Sequence, residues 1–388
     1  MKKKCDFGSK AFNIAAYLLI NKIKNITFDG AAGTGKTTFA RRLKEFCEIK
    51  GINVALTAVT GTAANNIGGV TISSFCQLRT YNLEDHEIIE RNQLVTALLR
   101  LVKILVIDEV SMLTDEQLRQ INIACQAAKG NKKPFGGISV LLMGDLCQLE
   151  PIEINDDEII AIDSVLETKE YLKKLNFTQI RLKKNYRQTD ERSLYFLNSL
   201  RNMIVNKSIN KTKINELFNF LKKNTSHGIH LYSNIKDVPL EEFNPSHYYY
   251  SKGNAPYTAL PIMYGYNYLI TKNTDNYFNG QHIVLSEDNE EEFLYQDFLY
   301  KKESGFDNNG TACLHTVFDR VIAEYLALIP LSDMTTRRVQ GSTFDSGCIA
   351  SEFFAEDNKV LQVSLIGWLK TLYTALGRFR DLSNVSLC

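Results

Sequence analysis

The segment "NITFDGAAGTGKTTFARRLKEFC" (25–47) constrains the fold more than any other. An apolar run ends at Gly30, a glycine-rich octet follows, and a helical pattern then sets Phe39, Leu43, Phe46 and Cys47 on one face. "GAAGTGKT" (30–37) has the phosphate-loop spacing G-x-x-x-x-G-K-[ST]. A strand before it and a helix after it are the context that gives the spacing meaning. The glycines let backbone N–H groups approach phosphate oxygens, and the helix N-terminus favours their charge. Nucleotide contacts are expected over Gly30, Gly33, Thr34, Gly35, Lys36, Thr37 and Thr38. Lys36 is suited to the β- and γ-phosphates and Thr37 to a Mg²⁺ ion.

Three further apolar runs, "INVALTA" (52–58), "ILVIDE" (104–109) and "ISVLLMGD" (138–145), read as strands, with "LVTALLRLV" (94–102) as an amphipathic helix. Unbroken apolar strands separated by helices predict a parallel sheet covered on both faces. Asp108 and Glu109 then emerge at the carboxyl edge of that sheet, where ligands bind. Asp108 can hold Mg²⁺ and Glu109 can take a proton from an attacking water. Hydrolysis needs such a base and a binding switch does not, so the pair points to a nucleotide hydrolase. "GDLCQLEP" (144–151) ends its strand in a Gly-Asp turn and presents Gln148. An amide both donates and accepts, which suits it to sense a γ-phosphate or the attacking water.

Composition bounds the rest. A chain of 388 residues is longer than one core usually organises, so two domains are expected, 1–155 and 156–388. Lys and Arg number 45 against 44 Asp and Glu, so any nucleic-acid site must be a local groove rather than a basic coat. Eight cysteines without a CxxC pair suggest reduced thiols in the cytoplasm. No apolar run approaches the ~20 residues of a membrane span, and "AFNIAAYLLI" (11–20) reads as an amphipathic helix rather than a signal peptide. Usage rich in Lys, Asn and Ile with only 7 Pro is that of an AT-rich genome, such as a phage's. Beyond Pro151 the pattern changes. A helix is expected near 190–204, "IMYGYNYLI" (262–270) alternates like a half-buried strand, and a small β-rich insertion is expected over about 280–328.

Eight blocks stand in one order from residue 30 to 380: "GAAGTGKTT" (30–38), "TAVTGTAA" (57–64), "TISSF" (71–75), "IDEVSM" (107–112), "GDLCQLEPI" (144–152), "NYRQ" (185–188), "RRVQGSTFD" (337–345) and "YTALGRFR" (373–380). The set resembles the superfamily-1 helicases, in particular the RecD-like branch with its small Dda-type phage members. That resemblance implies an α/β fold of two RecA-like parallel-sheet domains. It also implies a short pin-like insertion, a hairpin or loop, over about 77–93. The implied activity is ATP- and Mg²⁺-dependent 5′→3′ movement on single-stranded DNA, with unwinding at single-strand/duplex junctions. Partners would be that DNA and a single-strand-binding or replisome protein, in the cytoplasm (the host's, if phage-encoded) and without a membrane.

Residue by residue, the resemblance matches Arg187 and Arg378 to two arginines that cross the cleft, where a guanidinium stabilises charge on the transferring phosphoryl group. Gln340 and Gly341 would face the nucleotide. Thr60, Gly61, Thr71 and Ser73 would approach DNA phosphates, as would Arg338, Ser342 and Thr343, while Phe75 would offer a stacking face. The chain departs from the family in having no Gln within 1–24 to read adenine, Ser73 where a His is usual, and Arg337 where another His is usual. His227 and His230 lack further ligands, and Trp368 and the tyrosines of 264–268 are read as packing residues. Two rivals stay open: an RNA helicase or ribonucleoprotein remodeller of the same superfamily, and a non-motor P-loop protein.

Overall fold

The computed structural model describes residues 6–155, 158–161, 163–188, 190–224, 228–232, 247–251, 259–262, 267–270, 282–284, 298–302, 328–330, 333–336, 340, 342–350, 354 and 365–387. Its main feature is a six-stranded sheet in which every pairing is parallel. The strands are β1 (Asn25–Gly30), β2 (Val54–Ala58), β3 (Val70–Thr71), β4 (Ile104–Asp108), β5 (Ser139–Gly144) and β6 (Phe177–Leu182), in spatial order β3-β2-β4-β5-β1-β6. β1, β4 and β5 are buried along their whole length; β4 and β5 are mostly apolar, as burial on both faces favours, whereas β1 also buries Asn25, Thr27 and Asp29.

Successive strand residues point to opposite faces, and each face has its own core. Ile26, Phe28, Ile104, Val106, Leu141 and Met143 pack under α1 (Lys10–Asn21) and α2 (Lys36–Glu48), against Phe12, Leu19, Phe39 and Leu43. Leu105, Ile107, Val140 and Leu142 pack on the other face against Leu99 of α5 (Gln93–Leu101) and Leu118 and Ile121 of α6 (Asp115–Lys129). This part also holds α3 (Gly61–Ile67), α4 (Asp85–Arg91) and two short helices, Ile72–Phe75 and Lys169–Lys174.

A second unit holds a four-stranded parallel sheet of β7 (Ile229–Tyr232), β8 (Asp333–Thr335), β9 (Gly347–Ile349) and β10 (Val385–Leu387), in order β8-β7-β9-β10. Helices α7 (Glu191–Val205), α8 (Lys211–Lys222) and α9 (Leu365–Leu376) supply Leu200, Leu217, Leu369, Leu372 and Leu376 to its core, where they meet Leu231, Ile349 and Val385. Trp368 packs against this core and His230 lies within β7; His227 falls outside the described residues.

Four expectations change. The boundary at 155 falls beside an antiparallel pair, Ile152–Asn155 with Glu158–Ala161, and β6 at 177–182 completes the first sheet beside β1. The first unit therefore runs past residue 182, because β6 finds its partner in the parallel ladder rather than in the second unit. The insertion at 77–93 is not a hairpin. It is a loop leading into α4, which Glu84 and Glu87 fix with a reciprocal capping box and which carries Asp85 in its first turn and Arg91 in its last. The β-rich region starts earlier than 280: residues 247–251, 259–262 and 298–302 form one antiparallel sheet, and 267–270, 282–284 and 328–330 another. Tyr264 and Tyr266 lie outside the described residues. Finally, Cys348 is disulfide-bonded, against the expectation of reduced thiols, whereas Cys47, Cys76, Cys125 and Cys147 are free and buried.

Candidate active site

The phosphate loop leaves β1 between β5 and β6 and runs into α2. Gly35 caps α2 in the left-handed region at φ 84° and donates no side-chain cap, which leaves the first-turn N–H groups facing the cleft. Gly33 also sits at positive φ, 81°, and a Cβ there would lie 2.5 Å from the Cβ of Arg187. Only glycine fits that approach. Lys36 Nζ donates to the carbonyls of Gly30 at 2.5 Å and Ala31 at 3.1 Å.

Asp108 closes β4 and accepts a hydrogen bond from the Thr37 hydroxyl at 3.0 Å. Burial, reinforced by the charge of Glu109, pushes the Asp108 carboxyl above its ordinary range; Lys36, the Glu109 N–H and the Thr37 hydroxyl pull it back. Thr37 and Asp108 form a hydroxyl and carboxylate pair of the kind that holds Mg²⁺ together with substrate phosphates and water, so these residues fit that ion. Glu109 adopts a left-handed backbone at φ 55°, ψ 39°, uncommon for a residue with a side chain, and its N–H donates to Asp108 Oδ1 at 2.9 Å.

Opposite these groups stand two arginines from later in the chain. Arg378 is buried after the end of α9, with Nη2 donating to Gln148 Oε1 at 3.0 Å and Nη1 lying 3.8 Å from Glu109 Oε1. Arg187 faces the same cleft, and burial, then the nearby Arg378, lowers its pKa. Residues Asn185–Gln188 clasp the phosphate loop: Tyr186 N–H donates to the Gly33 carbonyl at 2.7 Å and Asn185 Nδ2 to that of Ala32 at 2.9 Å. The result is a cleft of about 580 Å³ with Lys36, Thr37, Asp108, Glu109, Gln148, Arg187 and Arg378 on its walls.

The model of the PIF1-like helicases matches residues 9–215, more than half of the chain. The chain belongs to the PIF1-like helicase family. Among curated relatives, the ATP-dependent DNA helicase RRM3 of Saccharomyces cerevisiae is 31% identical over 189 residues, 47% of this chain and 26% of that protein. The ATP-dependent DNA helicase PIF1 of Candida albicans is 33% identical over 207 residues, 49% of this chain and 22% of that one. The matched segments thus span about a quarter of the relatives' length. Among solved structures, Pif1 helicase from Bacteroides in complex with ADP-AlF3 and ssDNA superposes with a TM-score of 0.69 at 23% identity, over 98% of this chain and 92% of that chain. Pif1 helicase from Candida albicans gives 0.69 at 20% identity, over 98% and 94%. The fold is therefore shared along nearly the whole chain.

In this PIF1-like chain several expected contacts sit elsewhere than foreseen. Gln340 does not line the cleft. It lies behind it, with Nε2 donating to Ser111 Oγ at 3.2 Å and approaching Gln148 Oε1 at 3.5 Å. Ser342 and Thr343, expected toward DNA, line the nucleotide cleft, next to Phe344, whose backbone is tied to that of Arg378 and Arg380. Thr60 and Thr71 are helix caps whose hydroxyls accept from Ala63 and Ser74 N–H, with Gly61 opening α3 and Ser73 exposed beside Thr71. Phe75 packs partly into the core above β4 and β5, which takes away one face for stacking. Arg337, Arg338 and Gly341 lie outside the described residues. No helix among the described residues is long and apolar enough to cross a membrane.

Sequence reasoning missed a buried polar cluster next to the site. Asp29, the residue before Gly30, and Asp145, at the start of the Gln148 turn, both accept from Arg201 of α7. Tyr373 of α9 donates to Asp145 Oδ2 at 2.7 Å, and Arg181 of β6 to Asp29 Oδ2 at 3.1 Å. The available signal was a carboxylate ending each of two apolar strands, "FDG" and "GDL".

Proposed function

We propose that this chain is an ATP-dependent DNA helicase that translocates on single-stranded DNA. One observation carries the reading: residues from 36 to 378 in sequence converge on one cleft with a complete set of groups for phosphoryl transfer to water. Lys36 and the N–H groups of the loop hold the β- and γ-phosphates. Thr37 and Asp108 would hold Mg²⁺, which when bound neutralises charge on the phosphate oxygens. Glu109 takes the proton of the attacking water, and Arg378 and Arg187 stabilise the charge that develops on the γ-phosphoryl group. Gln148, touching Arg378, reports whether that group is present. Its neutral amide gains or loses one hydrogen bond while Lys36 carries the main charge.

Two units joined beyond residue 182 would change their hold on DNA as ATP comes and goes. Thr60, Gly61, Thr71 and Ser73 at the carboxyl edge of the first sheet would contact the strand, and DNA single-strand/duplex junctions would be the substrate. The relatives named as ATP-dependent DNA helicases, and the Bacteroides Pif1 structure with ssDNA, support this choice over RNA. The finer placement in the RecD-like branch, with its 5′→3′ polarity, a phage origin, action in the cytoplasm and a single-strand-binding or replisome partner, rests on the motif resemblance. ATP hydrolysis measured alone, with oligothymidylate and with oligouridylate of equal length tests the reading. Strong stimulation by the DNA is expected, and stimulation by RNA alone would replace DNA with RNA as the track. A Lys36→Ala protein that still unwinds duplex with ATP would overturn the motor reading.

A further inference from the structure

Arg201 lies outside every motif block, yet its guanidinium bridges the two loops that present the chemistry. Nη2 meets Asp29 Oδ1 at 2.9 Å and Nη1 meets Asp145 Oδ1. Both carboxylates have fully buried side chains, and Arg201 itself is 16% exposed. Two buried carboxylates require two cations, and Arg201 and Arg181 are those cations. Asp145 in turn builds the Gln148 turn: its carboxylate accepts from Cys147 N–H at 3.1 Å and its carbonyl from Gln148 N–H at 3.0 Å. Asp29 Oδ1 accepts from Leu146 N–H at 3.3 Å, so the residue before the phosphate loop and the Gln148 turn share one ring of hydrogen bonds.

Two of the cluster's donors come from the other side. Arg201 on α7 and Tyr373 on α9 belong to helices whose apolar faces form the second unit's core. Cys147, in the middle of the turn, is itself buried in that core. Nearby the interface is loose, with a cavity of about 160 Å³ between Ala31 and Ala32 of the phosphate loop and Tyr373 and Gly377. Packing is interrupted there, while the guanidinium fork is not.

We infer that Arg201 is a positioning residue that carries movement of the second unit to the phosphate loop and Gln148, coupling DNA engagement to ATP hydrolysis. This rests on the helicase reading above. The guanidinium supplies two parallel donors at fixed separation, so a shift of α7 moves both loops together; a lysine ammonium, a single point charge, cannot do so.

The test is kcat and KM for ATP, with and without saturating oligothymidylate, for wild type, Arg201→Lys and Tyr373→Phe, each well below its own Tm. Tyr373→Phe keeps the ring in the core and removes one donor to Asp145, so it serves even where Arg201→Lys does not fold. The expected result is a ratio of DNA-stimulated to basal kcat that falls about fivefold to tenfold in Arg201→Lys and about twofold to threefold in Tyr373→Phe, with KM for ATP nearly unchanged. A purely structural role would lower Tm and leave that ratio alone, and an unchanged ratio in the folded variants overturns the inference. A wild type without DNA stimulation overturns the helicase reading itself, before any variant is measured.

Discussion

Lys36, Asp108, Glu109 and Gln148 leave the carboxyl edge of one six-stranded sheet, whereas Arg378 reaches the same cleft from the end of a helix in the four-stranded unit. The first group is set by local chain geometry. Each residue sits within a few positions of a buried strand end, and the strands hold their register by parallel ladders. Arg378 is placed by tertiary docking: its Nε is held locally by the Thr374 carbonyl at 3.3 Å, and only across the interface does its Nη2 reach Gln148. In the proposed mechanism the binding groups are thus built into one unit, and the charge that would complete hydrolysis arrives from the other. On the proposed reading, such a cleft would hydrolyse ATP only when its units are correctly placed, which is what a motor requires.

That contrast can be broken or sharpened by substitution. The largest effect is expected for Arg378→Ala, which should lower kcat for ATP by about 10³–10⁵-fold while leaving equilibrium nucleotide binding within a fewfold. Loss of binding in step with kcat would place Arg378 with the cradle instead. Glu109→Gln keeps shape and removes the base, so single-turnover hydrolysis should slow by about 10²–10⁴-fold; wild-type turnover would show that another group takes the proton. Gln148→Ala should cost about tenfold in hydrolysis and more in unwinding, so that ATP consumed per base pair opened rises. Full rates in both assays would remove Gln148 from the coupling. The smallest effect belongs to the first unit alone. Thr60→Ala deletes the hydroxyl that accepts from Ala63 N–H at 3.2 Å and should cost about 1 kcal/mol in urea unfolding, a loss expected of a side-chain helix cap.

The same contrast explains what could be read from the sequence. The strands at 104–108 and 139–144 were legible because parallel burial favours apolar runs, and the strand at 25–30 with its phosphate loop because the glycine spacing marks a strand-to-helix turn in which Gly33 and Gly35 adopt positive φ. Arg187 and Arg378 came only through the resemblance of whole blocks, since nothing local marks a cation that acts across an interface. β6 was placed in the wrong unit because its partially exposed residues, "FTQIRL", carry no sign of which edge they extend. Helix α4 was not legible because its N-cap is Glu84 rather than the Ser, Thr, Asp or Asn that marks a helix start in sequence, so its capping box with Glu87 shows only in the structure. Arg201 was invisible because its partners lie 172 and 56 residues away and a lone arginine on a helix usually faces solvent.

Unwinding of two otherwise identical duplexes, one with a 5′ single-stranded tail and one with a 3′ tail, tests the central claim most directly. The account predicts ATP-dependent strand separation of the 5′-tailed duplex, little of the 3′-tailed one, and none of either by Lys36→Ala. Opening of the 3′-tailed duplex alone would reverse the polarity. ATP hydrolysis with no separation of either duplex would contradict the account of the cleft as the engine of a helicase.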